Sequence, residues 1–245
     1  MHKVNDVNII NDLLKEDMMG NINTLGRLKF QKDFNIFVDS LNKPQGYVLQ
    51  NDNWNVVYSD GDATAEKLLN SLLDKPQNFA GVLRRFYDLV EKKGIVDWKE
   101  FCYLYYITPE SLKINQPKHN VDSLTLDDAE IVDYYYTYRS QDPNSLEYLK
   151  GCIKERPSSV IRDENGKPIS WALIREDGSL GVMYTKKEHR GKGLAISVSV
   201  DLIKKAFELG HTPYVHIVTD NKASIALSES IGFKRYGEIV WFGTK

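Results

Sequence analysis

The stretch Glu188–Ala195, "EHRGKGLA", decides how the second half of the chain is read. It sets two glycines among charged residues, after the β-like run "LGVMYT" (180–185) and before the helix-like run "AISVSVDLIKKAFELG" (195–210). A helix start leaves its first backbone N–H groups without partners. Glycines without Cβ let an anion approach those groups, and the helix dipole adds partial positive charge. Arg190 and Lys192 add full charges, so the stretch has the makings of a phosphate or pyrophosphate cradle. A basic turn is the competing reading. Two familiar phosphate loops do not fit. In a P-loop, Lys186 would have to be glycine and Gly193 serine or threonine; in the dinucleotide fingerprint, Ile196 would have to be glycine. What remains is R-x-x-G-x-A.

Outward from this stretch the pattern is regular. "LTLDDAEIVDYYYTY" (124–138) and "NSLEYLKGCIKERP" (144–157) predict two helices, the first with acidic residues near its start. "SSVIRDENGKPISWALI" (158–174) predicts a hairpin turning at Asn165-Gly166. After "LGVMYT" come a long helix from about Gly193 to Leu209, the strand "YVHIVTD" (214–220), the helix "KASIALSESIG" (222–232) and the strand "YGEIVWFG" (236–243). The order α-α-β-β-β-α-β-α-β predicts a mixed α/β fold with some parallel pairing. Towards the N-terminus, "TPESLKINQPKHN" (108–120) is polar, holds two prolines and reads as a linker. It suggests two domains, 1–118 and 119–245. In the first, "FNIFVDS", "GYVLQ" and "NVVYS" predict strands between Lys29 and Tyr58. The pattern then reads as helical from Thr64, a candidate cap, to about Ile107, with "VDWKEFCYLYYI" ambiguous. No sequence repeat stands out.

Composition narrows the classes. The chain has 245 residues, 42% hydrophobic and 27% charged, with a net charge of −2. That is an ordinary globular balance with no basic field for nucleic acid. The two cysteines, Cys102 and Cys152, make no disulfide framework or metal cluster, and no His/Cys/Asp set has metal-ligand spacing. The N-terminal residues lack a signal-peptide pattern, and no apolar run approaches the ~20 residues of a membrane span. The expectation is a cytoplasmic protein, monomer or homodimer, with no metal, membrane or nucleic-acid partner.

Three segments, Ser145–Ile174, Tyr184–Ala195 and Asn221–Phe233, carry a resemblance to the GCN5-related N-acetyltransferase (GNAT) superfamily, and within it to the glycine N-acyltransferase, FR47-like branch. The resemblance spans roughly residues 123 to 245. It implies a GNAT fold in that half, after an N-terminal half that resembles a GNAT-like domain without its own cofactor loop. It also implies acyl-CoA, acetyl-CoA or another, as donor. Arg190, Gly191, Lys192, Gly193, Leu194 and Ala195 would hold the pyrophosphate. Val182, Met183, Tyr184 and Thr185 would pair with the pantetheine arm as with an added strand. This requires "YVHIVTD" to splay away. A backbone N–H near Met183 or Tyr184 would stabilise the thioester oxyanion. Asn221 would contact the pantetheine or the acyl end, and Ser224, at the start of the following helix, would cap it or touch the cofactor.

N-acylation needs a neutral amine, so a base or a water chain helps. The resemblance puts a glutamate early in the central strand, where this chain has Ser179. Glu188 and His216 are then the candidate bases, each with a competing reading as a solvated charge or a structural histidine. Glu176 and Asp177 read as turn residues. Ser228 stands where many superfamily members carry an acidic tyrosine, and packing competes there. Tyr184 is a candidate for substrate contact or core. Tyr135, Arg139 and Trp171 are acceptor-binding candidates, Arg139 through bidentate pairing with a carboxylate. The expected function is direct acyl transfer to the amine of a small molecule or amino acid. The alternatives are a protein or peptide N-acetyltransferase and a non-catalytic acyl-CoA sensor.

Overall fold

A computed structural model describes residues 1–51 and 54–245. Its contacts divide the chain into two compact units. The first comprises residues 1–105, 216–221 and 235–245; the second comprises 106–215 and 222–234. The division differs from one cut at 118/119: residues 106–118 fall in the second unit, and 216–221 and 235–245 fall in the first.

The first unit opens with strand β1 (His2–Val4) and helices α1 (Asn11–Glu16) and α2 (Ile22–Phe30). Strands β2 (Asn35–Val38), β3 (Gly46–Asn51) and β4 (Trp54–Ser59) form the antiparallel meander expected from their short β-branched runs. Helix α3 (Asp62–Asn70) follows, capped by Gly61 rather than Thr64, which lies inside it. The run "NFAGVLRRFYDLVEKK", read as one helix, is strand β5 (Asn78–Leu83) joined to helix α4 (Arg84–Glu91). Phe79, Ala80 and Val82 are buried, and Gly81 takes φ +59° beside a register shift against the partner strand. Propensity over five residues cannot anticipate that kink. The ambiguous segment is strand β6 (Val96–Tyr106).

The second unit follows its predicted order. Helices α5 (Ala129–Tyr134) and α6 (Ser145–Glu155) precede strands β7 (Ser158–Arg162), β8 (Pro168–Ile174) and β9 (Leu180–Thr185). Helix α7 (Leu194–Glu208), strand β10 (Tyr214–Val218), helix α8 (Lys222–Ile231) and strand β11 (Lys234–Thr244) complete the chain. Helix α5 is shorter than predicted, because Leu126–Asp128 form a 3₁₀ turn that Thr125 and Asp128 cap reciprocally. Strands β7, β8 and β9 form an antiparallel sheet of three strands, with β8 central and buried throughout. Trp171 of β8 is fully buried against Val132, Leu149, Val160 and Leu173. The other sheet has the order β1-β2-β3-β4-β5-β11-β6-β10. In it β4 and β5 are parallel, pairing at Trp54–Asn78 and Asn55–Phe79.

From α1 onward, helix-helix-three strands-helix-strand-helix-strand occurs twice in succession. The repeat is one of element order; the sequence keeps little of it beyond "NVVYS" (55–59) and "GVMYT" (181–185). No described helix is long and apolar enough to cross a membrane.

Helix α8 ends at Gly232, at φ +118°, where an added Cβ would stand 2.0 Å from the Ser111 carbonyl oxygen. Both the clash and the backbone sign penalise any side chain. Gly232→Ala is expected to cost about 3 kcal/mol in urea unfolding.

Candidate active site

Among the described residues, strand β9 pairs within its sheet on one side, with β8. Its pairing shifts register between Trp171–Tyr184 and Leu173–Gly181, so Val182 and Met183 face the single residue Ala172. Such a bulge leaves backbone groups outside the ladder. Val182 bears the geometry, at φ 49°; no other described residue except glycine has a positive φ. For a β-branched residue this is strained by about 1–3 kcal/mol.

After β9 a 3₁₀ turn (Lys187–His189) leads into the glycine loop. Gly191 at φ +76° and Gly193 at φ +78° both take the left-handed conformation, and Gly193 is the N-cap of α7. The helix has no side-chain cap. Its first N–H groups therefore rely on whatever the loop brings to them. Arg190 is folded back, its Nε donating to the Thr185 carbonyl (3.0 Å) and its guanidinium 5.4 Å from the Tyr184 ring centre.

These parts border one cleft of about 390 Å³. Met183, Tyr184 and Thr185 line it from β9; Arg190, Gly191 and Gly193 from the loop; Leu194 and Ala195 from α7; Ser224 from α8. His189, which reads in sequence as a loop residue facing solvent, also lines it, as do Ile196, Ala223 and Leu227, which sequence reasoning passed over. Ile196, Ala223 and Leu227 are apolar helix residues, which a search for charge and hydrogen bonding does not register. Val182, Lys192 and Asn221 do not line it. Lys192 is exposed, and Asn221 belongs to the first unit, its N–H bonded to the Val218 carbonyl.

An aromatic wall stands behind Tyr184. Tyr135 stacks on it with ring centres 4.4 Å apart and planes 20° from parallel. Trp171 lies 5.7 Å from Tyr135 and 5.5 Å from Tyr184. The structure thus brings together Tyr135, Trp171 and Tyr184. Burial first, then the neighbouring Tyr184 hydroxyl and Glu188 carboxylate, push the Tyr135 phenol up. Glu188 itself is exposed on the 3₁₀ turn. Arg139 is tethered: its Nε donates to Asp133 at 2.9 Å, with Ser145 on the other carboxylate oxygen.

Other candidates are placed differently. Ser228 is buried inside α8 and does not line the cleft. His216 belongs to the first unit, where its Nδ1 accepts from Trp241 at 3.3 Å. Ser179 is buried, and its N–H and hydroxyl both donate to Asp177, at 2.9 and 2.6 Å. Asp177 is buried as well, 1% exposed, and the Tyr214 hydroxyl donates to its carbonyl. A buried carboxylate is unexpected from a turn sequence, since exposed Asp favours such turns. Among the described residues no group of three or more His, Cys, Asp or Glu is arranged to hold a metal ion.

Helix α5, which leads to Tyr135, is fixed through Asp128. Arg162 grips that carboxylate with two nitrogens at 2.8 and 2.7 Å, and the Thr125 N–H adds a bond at 2.8 Å. Burial pushes the Asp128 carboxyl up, but Arg162 and Thr125 outweigh it and hold the group below its ordinary range. A depressed folded value means the stabilisation is complete above the unfolded value, about pH 4, and is lost as pH falls through the lower folded one. Urea unfolding as a function of pH is expected to show this acid loss, and Asp128→Asn is expected to flatten it.

Residues 160–242 match the family model of FR47-like proteins. Glycine N-acyltransferase of Rattus norvegicus is 29% identical over 120 residues, covering 48% of this chain and 40% of that protein. The chain spans about two-fifths of the length of the curated relatives it matches. Among solved structures, a Drosophila protein superposes over 100% of this chain and 98% of its own, with a TM-score of 0.80 at 17% identity. An acetyltransferase of the GNAT family from Colwellia psychrerythraea covers 100% and 99%, with a TM-score of 0.58 at 15% identity.

Proposed function

We propose that this chain, an FR47-like segment within a GNAT fold, is an acyl-CoA-dependent N-acyltransferase. The observation that carries the reading is one cleft in which a bulged strand with a free edge leads into a left-handed glycine loop at a helix start. The free edge suits the amides of a pantetheine arm, and the loop suits a pyrophosphate. The named activity of the similar proteins, glycine N-acylation, supports the acyl-transfer class. Acetyl-CoA is the donor we favour, and a small amine or amino acid the acceptor.

In this reading the neutral amine attacks the thioester carbon. The C–N bond forms, the oxyanion leans on a backbone N–H at the bulge, and the C–S bond breaks to release the thiolate. Tyr184 and Tyr135 border the acceptor side, and Arg139, held in place by Asp133, turns its remaining donors to an acceptor carboxylate. Glu188, whose charge is felt at Tyr135, is the proposed proton acceptor, through the tyrosine hydroxyls or water. His216 and Ser228 take structural roles. The first unit is a GNAT-like half without a donor loop. Its β4 runs through Asp60 and Gly61 into a helix whose first turn holds Asp62, and that acidity repels an anion.

One observation favours a non-catalytic acyl-CoA sensor: no described carboxylate lines the cleft, and Ser179 is bonded to Asp177. The two readings separate on incubation with acetyl-CoA and a panel of amines and amino acids. Acylated product by mass spectrometry with stoichiometric free thiol supports the enzyme; tight binding without product on any amine supports the sensor. Gly193→Val is expected to weaken acetyl-CoA binding about a hundredfold by calorimetry with the fold intact by circular dichroism, since several N–H bonds to phosphate are lost. Unchanged affinity would refute the loop as the anion site.

A further inference from the structure

The glycine loop is held from outside by a segment that the donor reading leaves unused. The polar stretch 112–120 lies against α7. Lys204 Nζ donates to the Asn115 carbonyl (3.1 Å) and to Gln116 Oε1 (3.3 Å), and the Lys118 N–H donates to Ser197 Oγ (3.1 Å). His119 Nε2 then stands 3.0 Å from the Lys192 carbonyl oxygen. A carbonyl only accepts, so this nitrogen carries the hydrogen. The same nitrogen is 4.0 Å from where a Cβ on Gly193 would be. His119 does not line the cleft.

We propose that His119 is a positioning residue of the donor site: it holds the Lys192 carbonyl on the outer side of the loop and so aims the Gly193 N–H into the cleft. The proposal rests on the acyl-CoA reading of that cleft. The geometry follows from the peptide unit itself. The Lys192–Gly193 peptide is trans, as no cis bond occurs among the described residues, so its C=O and N–H point in opposite directions. Fixing one fixes the other. The need for a clamp comes from the glycine. Gly193 accepts either sign of φ at little cost, so the 192–193 peptide plane can rotate and carry its N–H away from an anion. A hydrogen bond from a neighbouring segment removes that freedom before the ligand arrives, and such preorganisation appears directly as affinity.

The strap gives this bond a fixed origin. Lys118 and His119 are consecutive, so the Lys118–Ser197 bond sets the imidazole against the first turn of α7. The stretch that reads in sequence as an inter-domain linker is thus assigned a second task, holding the anion loop in its receptive form.

The test is calorimetric titration of the full chain with acetyl-CoA. One net hydrogen bond corresponds to about fivefold to tenfold in Kd, so His119→Ala is expected to weaken binding by that factor. His119→Gln, whose side-chain amide donates in a similar place, is expected to stay within about twofold of the wild type. The KM for the acceptor is expected not to move, whereas the KM for the donor follows Kd. If His119→Ala does not fold, His119→Phe, which fills the space without a donor, replaces it. Wild-type affinity in the Ala or Phe variant overturns the proposal, as does equal weakening in Ala and Gln. A wild-type chain that binds no acetyl-CoA overturns the donor reading, and this proposal with it; binding that is indifferent to position 119 overturns this proposal alone.

Discussion

Val182 holds a left-handed backbone in the middle of β9, at φ 49°, and the site is built around that distortion. A β-branched residue avoids this conformation when isolated. It persists because the ladder is fixed on both sides, by Trp171–Tyr184 beyond the bulge and Leu173–Gly181 before it. The pairing that stabilises the sheet thereby enforces a local fault in it. The fault has two consequences. Met183 stays 38% exposed although it belongs to a strand, and backbone groups leave the ladder at the middle of β9. The strand then resumes for two residues before delivering the chain to the glycine loop.

The loop and the strand are complementary in what they leave unsatisfied. At the bulge it is backbone on an open edge; at the start of α7 it is an uncapped helix terminus beside Arg190. Arg190 meanwhile rests on the Tyr184 face and the Thr185 carbonyl. Its charge thus lies beside the strand end, held there by a cation–π contact and one hydrogen bond. In the first unit the corresponding junction is acidic, and Arg85 contacts the Ser59 carbonyl and stands 3.6 Å from Asp62. The same order of elements therefore surrounds two chemically opposite helix starts.

The second half of the chain was legible because its signals are local and agree with one another. Asn165-Gly166 makes the hairpin turn, "PISWALI" is a continuous apolar run and is buried throughout, and α7 does start directly after Gly193. The first half was less so. β5 and α4 share one run whose apolar spacing mimics a helix, and only the contacts around Gly81, near His216 and Trp241, reveal the break. The cleft's strand and loop side, from Met183 through the glycines to Ala195, was legible in sequence except for His189, whereas Ile196, Ala223 and Leu227 on the helices were not. Nor were the tether between Asp133 and Arg139 and the bond from Ser179 to Asp177. Hydrogen bonds of that kind depend on side-chain direction, and a one-dimensional pattern does not carry it.

Strand β11 lies between β5 and β6 in the larger sheet, although nearly all of the second unit separates it from β6 in sequence. Synthesis on a ribosome is directional. When residues 1–105 have emerged, β5 and β6 still lack the strand that joins them, and the edges they present are open. The first unit to be made is then the last to be finished, and it must wait, incomplete, while residues 106–233 are added. Such a chain is exposed to edge-to-edge association for the whole interval, and it favours a second unit that folds promptly and keeps the interval short.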